Sequence, residues 1–147
     1  MAKFENEIER KGYIAYTVKG DSMMPLIREN QDIVVIKKLT RLPKKRDAVL
    51  FKRPSGEYVL HRIVKCCGVG LYRIAGDNRS FAETVPEEWI IGYLCEVIKD
   101  DRHITADSKE YKAYVGKVPL HRLKLKLIRY KKALKIKIRK IGRRILK

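Results

Sequence analysis

Short runs of β-forming residues, separated by turn signals, fill the first two thirds of the chain. They cover residues 13–18, 32–37, 47–51, 58–64, 71–75 and 87–99. β-Branched and aromatic residues favour strands, and short strands at close spacing are typical of all-β sandwiches and barrels. The pattern therefore predicts a mainly β fold, a small antiparallel barrel or coiled sheet of about seven strands.

Three local features refine this sheet. The continuous apolar run at 32–37 predicts a strand that is buried on both faces. Residues 54–56, Pro-Ser-Gly, predict a hairpin between the third and fourth strands. Gly92, inside the last long run, marks a bulge.

The two ends of the chain differ from the strand-like middle: the first permits a helix, and the second has the pattern of one. Residues 1–12 are charged and end in Gly12, a helix stop. Pro119 suits the first turn of a second helix. Beyond it, apolar residues recur at spacings of three and four and form one stripe: Leu120, Leu123, Leu127, Tyr130, Leu134, Ile138, Ile141 and Ile145.

Charge separates this second helix from the rest of the chain. Residues 1–110 carry 20 Lys and Arg against 17 Asp and Glu, a net charge of +3. Residues 111–147 carry 15 Lys and Arg and no acid, a net charge of +15. The chain therefore divides into an N-terminal helical or flexible segment (1–12), a β domain (13–110) and a basic amphipathic tail (111–147).

A basic amphipathic helix is typical of segments that lie in a membrane interface, with cations on anionic headgroups. Alternatively, its stripe packs on the β domain, it binds nucleic acid or a partner helix, or it stays disordered. Nucleic acid is less favoured because no aromatic platform or reader motif accompanies the charge. The candidate membrane- or anion-binding side chains are Arg122, Lys124, Lys126, Arg129, Lys131, Lys132, Lys135, Lys137, Arg139, Lys140, Arg143 and Arg144.

A tight turn at residues 18–25 (VKGDSMMP) presents one hydroxyl side chain, Ser22, between two of the predicted strands. Gly20 permits a sharp or left-handed bend, and Pro25 fixes φ on the far side. A serine nucleophile needs a fixed Oγ and nearby backbone donors for the oxyanion. The candidate oxyanion and turn residues are Gly20, Ser22 and Met23, and the alternative is a polar turn flanked by buried methionines.

Two further motifs supply a base and an acid. His61 lies in the middle of the run YVLHRIV, and a neutral imidazole can accept the serine proton near pH 7. Asp77, in a Gly-Asp-Asn motif, or Glu83 beyond it can orient that imidazole. A packed histidine and an ordinary turn are the alternatives, but they explain the order of the three motifs less easily.

The order Gly-x-Ser-Met-x-Pro, Tyr-Val-x-His-Arg-Ile-Val, Gly-Asp-Asn resembles the type I signal peptidases and their relatives, the LexA-like self-cleaving proteins. The resemblance covers residues 13–98. VKGDSM is similar to the LexA-like branch, and Met-Met-Pro to the signal peptidase branch. Bacterial signal peptidases and LexA-like proteins use a lysine base, whereas the archaeal and endoplasmic-reticulum type uses histidine, the residue at position 61.

Three departures from the signal peptidase pattern matter. In the histidine branch the acid lies in an Asp-Asp pair, whose place here falls on Glu83, so the acid stays open between Asp77 and Glu83. Gly20 occupies the position of a second serine that bacterial signal peptidases often carry, so the oxyanion hole rests mainly on backbone donors. The N-terminal transmembrane anchor of signal peptidases is absent from this sequence.

The resemblance implies a serine endopeptidase that cuts leader, signal-type or precursor peptides after small residues, at a membrane surface. Ser22 would be the nucleophile and His61 the general base. One alternative is a catalytically inactive binding or adaptor module. Another is LexA-like self-cleavage, which is disfavoured because only 21 residues precede Ser22 and they contain no helix-turn-helix.

Cofactor chemistry is not expected. Cys66, Cys67 and Cys95 suit neither a disulfide framework nor a zinc site, and reduced thiols are the simplest account. His103 and His121 are interpreted as surface residues. Without a signal peptide or a run of about 20 apolar residues, we expect a cytoplasmic protein that is at most peripheral at the membrane.

Overall fold

Eight strands lie between two helices in the computed structural model, which describes residues 3–145 and their side chains as far as residue 143. The strands are joined by short turns, and a 3₁₀ turn over Glu87–Trp89 precedes the longest strand. The elements are α1 (Lys3–Lys11), β1 (Tyr13–Thr17), β2 (Ile33–Lys38), β3 (Ala48–Lys52), β4 (Tyr58–Cys66), β5 (Leu71–Ala75), β6 (Glu83–Pro86), β7 (Ile90–Lys99), β8 (Arg102–Thr105) and α2 (Lys109–Ile145).

All strand pairs are antiparallel, and the sheet order is β1-β2-β7-β3-β4-β5-β6, with β8 paired to β7. The predicted fold class, an antiparallel β-sheet domain followed by a long C-terminal helix, is confirmed. The expected hairpin joins β3 to β4, and Gly56 in its turn has φ +88°. The register between β3 and β7 shifts beside Gly92, where the sequence predicts a bulge.

Two strand expectations were wrong. Side chains of β2 alternate between buried and exposed, with Ile33 39% exposed and Val34 fully buried, so only one face is covered. The doubly buried strand is β3, which lies between β4 and β7. Strands β6 and β8 fall outside every predicted run. Strand β8 folds back through Asp100 and Asp101, and both have positive φ, as tight hairpin turns require.

The start of helix α2 differs from the prediction. The helix begins at Lys109, and Pro119 lies in its interior rather than in its first turn. An interior proline removes one backbone hydrogen bond and costs roughly 3 kcal/mol. Burial of Tyr111, Val115 and Val118 on the sheet stabilises the turns before the proline, so the helix forms there nevertheless.

The docked face of α2 is not the predicted stripe. The buried or half-buried side chains lie between Tyr111 and Leu125, and every residue from 126 to 143 is exposed. At about 100° per residue, the predicted stripe lies roughly 150° around the helix from the docked face. Its members from Leu120 to Ile141 are 45–68% exposed, so packing of the stripe on the β domain is ruled out. Neither helix in the described residues has the length and apolar character to cross a bilayer.

Two apolar clusters occupy opposite faces of the sheet. The first contains Leu60 from β4 together with Ile8 of α1 and Tyr111 of α2. The second contains Val59 and Ile63 of β4 with residues of β3, β5, β6 and β7. Strand β4 therefore contributes alternate side chains to both clusters. The division into segments 1–12, 13–110 and 111–147 stays a prediction.

Candidate active site

Ser22 lies in the loop between β1 and β2. Gly20 has φ +85°, in the left-handed region that glycine adopts without strain. Its N–H donates to Glu29 Oε1 at 2.7 Å. The side chain of Met23 is buried in the first cluster. Ser22 is therefore held between a hydrogen-bonded glycine and a residue anchored in the core.

The backbone N–H groups beside Ser22 differ in availability. Met24 N–H donates to Asp21 O at 3.1 Å, and the N–H of Gly20 is occupied as described above. Within the described part of the chain, the N–H groups of Ser22 and Met23 donate no hydrogen bond. Unpaired N–H groups beside a nucleophile have the chemistry of an oxyanion hole. Ser22 and Met23 thus carry the available donors, whereas Gly20 shapes the turn.

The segment after β5 holds the serine turn in place. Asn78 N–H donates to Ser22 O at 2.8 Å, and its side-chain amide donates to Asp21 O at 3.2 Å. Arg79 forms an ion pair of 2.5 Å with Asp21. Gly76 lies so close that a Cβ there would stand 2.7 Å from Ser22 O. Only glycine permits this approach.

Strand β4 brings His61 to the same place. Arg62 pairs with Ala75, the last residue of β5, so the preceding position, His61, lies beside Gly76 and the serine turn. The His61 side chain is 12% exposed and meets the Phe51 ring at a centroid distance of 6.3 Å. In the part of the chain that the structure describes, no hydrogen bond joins Ser22 and His61. Catalytic hydrogen bonds are often long without substrate, so this leaves the base role open.

The electrostatic environment keeps His61 neutral. Burial lowers the pKa of His61 from 6.5 to about 4, and the charges of Arg53 and Arg79 act in the same direction. Glu83 opposes them and raises the pKa. The buried Nδ1 of His61 has no hydrogen-bond partner among the described residues. At pH 7 the imidazole is therefore unprotonated and able to accept a proton.

Glu83 is the carboxylate nearest to the unpartnered Nδ1. Its Oε1 lies 3.7 Å from His61 Nδ1, slightly beyond hydrogen-bond distance. Arg53, from the β3–β4 turn, holds the same carboxylate at 2.6 and 3.2 Å. Arg53 thus fixes the carboxylate beside the imidazole, where a shift of a few tenths of an ångström would make a hydrogen bond.

Asp77 has other partners. Both carboxylate oxygens accept from Arg62, each at 2.7 Å, and one also accepts from Tyr114 of α2 at 3.0 Å. Alternate residues of a strand point to opposite faces, so Arg62 directs Asp77 away from the face that carries His61. Asp77 and Arg62 are both fully buried. The structure therefore brings Glu83, rather than Asp77, to the imidazole of His61.

Helix α2 contacts the segment that supports the serine turn. Besides the Tyr114 bond to Asp77, His121 Nε2 lies 3.4 Å from the Asn78 side-chain oxygen. Arg122 donates to the carbonyl oxygens of Arg79 at 3.1 Å and Phe81 at 3.4 Å. His121 is therefore half-buried against this segment and not a free surface residue, whereas His103 is exposed as expected.

Most of the predicted anion-binding residues are accessible. The side chains from Lys124 to Arg143 are exposed, and that of Arg144 lies outside the described residues. Arg122 is the exception, because it lies on the docked face and is buried against the carbonyl oxygens of the supporting segment. It cannot lie on an external surface together with the other cations.

Several contributors to the site went unrecognised in the sequence. Two of them lie inside motifs that the sequence analysis had already singled out. Arg62 directly follows His61, and Gly76 is the glycine of the Gly-Asp-Asn motif. Arg53 and Tyr114 carried no local signal, because they reach Glu83 and Asp77 from 30 and 37 residues away.

A comparison with protein families matches residues 3–95 to the model described as Peptidase S24-like. The match covers more than half of the chain and includes Ser22, His61, Asp77 and Glu83, but it ends before helix α2. Comparison with curated proteins gives no significant match.

The contrasting environments of the two carboxylates predict opposite effects on stability. Asp77→Asn leaves the buried Arg62 without its counter-charge and should reduce the free energy of unfolding by about 3–5 kcal/mol. Glu83→Gln, at a partly exposed ion pair, should cost no more than about 1 kcal/mol. Urea unfolding followed by circular dichroism measures both. Equal losses would contradict the structural role of Asp77.

Proposed function

The chain belongs to the Peptidase S24-like family, and we propose that Ser22 and His61 act in it as nucleophile and general base, with Glu83 orienting the base. The observation that carries this proposal is the placement of the Glu83 carboxylate 3.7 Å from an otherwise unpartnered His61 Nδ1. The S24-like serine peptidase domain itself follows from the family match, whereas the histidine base is part of what we propose.

In the proposed mechanism, Ser22 Oγ attacks the scissile carbonyl carbon while its proton moves to His61 Nε2. Glu83 accepts a hydrogen bond from Nδ1–H, which fixes the tautomer and stabilises the imidazolium. The N–H groups of Ser22 and Met23 receive the oxyanion. His61 then protonates the leaving amine, and a water molecule hydrolyses the acyl-enzyme.

The proposed substrates are extended leader, signal-type or precursor peptides with small residues before the cut. This preference rests on the resemblance to signal peptidases. Signal peptides are embedded in the membrane, so an enzyme that cleaves them would work at a lipid surface. We therefore include peripheral binding to an anionic membrane in the proposal.

Helix α2 supports the membrane part of this proposal. Its exposed stripe points away from the docked face, and the surrounding side chains from 111 to 147 include 15 cations and no acid. Residues 126–145 extend about 30 Å at 1.5 Å per residue. An apolar stripe flanked by cations is the arrangement with which helices lie in the headgroup region of anionic bilayers.

Removal of the nucleophile or the base should abolish proteolysis. We expect Ser22→Ala and His61→Ala each to reduce kcat/KM by about 10³-fold or more, because each loses a proton-transfer or covalent step. Cleavage of a diverse peptide library, read by mass spectrometry, measures this and also gives the cut sites.

Ser55→Ala, in the exposed β3–β4 turn, and His103→Ala, at the surface, are the matched controls and should retain full activity. Folding of each variant is checked by circular dichroism. Retained cleavage in Ser22→Ala or His61→Ala would refute the assignment. Intact mass during incubation separates cleavage of added peptides from cleavage of the chain itself.

Glu83 should affect both rate and pH dependence. In the wild type, kcat/KM should fall only as the pH approaches about 4, since burial depresses the pKa of His61. Glu83→Gln removes the charge that raises this pKa, so the acid limb should move to lower pH. The rate should fall by about 10²–10⁴-fold.

An NMR titration of the His61 ring and a pH–rate profile measure the two effects. Glu57→Gln is the control, because Glu57 binds the same Arg53 without contributing to the His61 pKa. The role of Glu83 is refuted if its variant and this control give the same profile.

The stripe on α2 should determine membrane binding. Leu134→Ser with Ile138→Ser should weaken binding to vesicles of phosphatidylcholine and phosphatidylglycerol by about tenfold or more, because two apolar side chains no longer enter the interface. Sedimentation of the full chain with vesicles measures the partition.

The matched control is Ile128→Ser with Ile136→Ser, which removes two exposed isoleucines outside the stripe. Pure phosphatidylcholine vesicles test the contribution of charge and should bind much less. Equal losses of vesicle binding in the two double variants would contradict a helix whose stripe faces the membrane. Equal binding to charged and uncharged vesicles would contradict the role of the cations.

A further inference from the structure

A cavity of about 400 Å³ lies between helix α2 and the C-terminal part of β4. It is separate from the serine turn, since neither Ser22 nor His61 lines it. Five cationic side chains surround it, and no carboxylate does: Lys45, Arg46, Arg62, Arg122 and Lys126. A cleft lined by charges of one sign, with low-dielectric walls, concentrates the electric field and attracts ions of the opposite sign.

Four of these five charges lack a counter-ion. Arg62 is neutralised by Asp77. None of the other four, Lys45, Arg46, Arg122 and Lys126, forms an ion pair within 4 Å with a carboxylate of the described residues. The cavity therefore keeps a local excess of positive charge even though the β domain is nearly neutral.

Among these cations, Arg122 has the strongest need for an anionic partner. Its side chain is buried, and its two hydrogen bonds go to the backbone carbonyls of Arg79 and Phe81 rather than to a carboxylate. A buried cation that has only neutral partners is incompletely compensated for its lost hydration. Its Nη1 forms no hydrogen bond with the described residues. An anion in the cavity would supply the missing charge and an acceptor.

The remaining lining is apolar. Val115 and Val118 of α2, both buried, form the apolar floor, and Leu123 is half exposed at the rim. The volume lies in the range of sites for small organic ligands. A bare inorganic ion would leave these apolar walls unoccupied, whereas an amphiphilic anion would cover them.

We propose that this cavity binds the phosphate group of an amphiphilic phosphate ester, with the cations on the phosphate and the apolar floor against the adjoining hydrocarbon. The shared chemistry, a phosphate oxyanion, is present in both phospholipid headgroups and free phosphate. The apolar walls favour the headgroup. The proposal does not rest on the peptidase mechanism, because it concerns binding and uses none of the catalytic residues.

Binding of two probes to the full chain tests the site: inorganic phosphate and short-chain dihexanoyl phosphatidylglycerol below its micelle concentration. Isothermal titration calorimetry gives affinities, and the thermal midpoint should rise with ligand concentration. Lys45→Gln with Lys126→Gln should weaken binding of both probes by about tenfold. Lys109→Gln with Lys117→Gln removes the same charge from exposed α2 positions outside the cavity and should change binding less than twofold.

Tighter binding of the lipid than of phosphate would assign the headgroup as the source. If phosphate binds and the lipid binds no more tightly, the proposed amphiphilic ligand is refuted and the cavity is a simple anion site. Equal weakening in the two double variants would overturn the cavity in favour of diffuse charge attraction. Absence of binding by both probes would refute the proposal, whatever the outcome of the peptidase assays.

Discussion

The ion pair between Arg62 and Asp77 is the interaction on which the rest of the structure depends. Removing two charges from water is costly, and a buried pair is tolerated only with good geometry and further hydrogen bonds. Here the pair is bidentate at 2.7 Å, and the hydroxyls of Tyr111 and Tyr114 complete it. Because the tyrosines come from α2, the start of this helix is tied to the β sheet, although the family match ends before it.

The same pair explains how two adjacent residues of β4 have different roles. Side-chain alternation places Arg62 on the face that meets α2 and His61 on the opposite face. The two side chains therefore contact different carboxylates: Arg62 neutralises Asp77, and the imidazole of His61 lies beside Glu83. The ion pair also fixes the segment that follows β5, and Asn78 of that segment holds the serine turn. A structural interaction thus supports the geometry of the candidate site without taking part in its chemistry.

The sequence was sufficient for features that depend on local pattern. The β-forming runs predicted six of the eight strands, and the glycine and proline around Ser22 predicted the turn. It was insufficient where partners are distant: the choice between Asp77 and Glu83 depends on Arg62, Arg53 and the strand register. Helix α2 was misjudged for a different reason. Periodicity was followed only beyond Pro119, but the helix begins at Lys109 and its docked face lies mainly before the proline, at Tyr111, Val115 and Val118.

The exposed half of α2 has an unfavourable charge pattern. Lys131, Lys135, Arg139 and Arg143 follow one another at spacings of four, so each adjacent pair lies close on one face of the helix. Like charges at this spacing destabilise a helix by about 0.2–0.5 kcal/mol per pair at low salt. With no acid in this region, nothing in the tail itself offsets the repulsion. An anionic surface would offset it and cover the apolar stripe at the same time, so the features that oppose helix formation in water would favour it at such a surface.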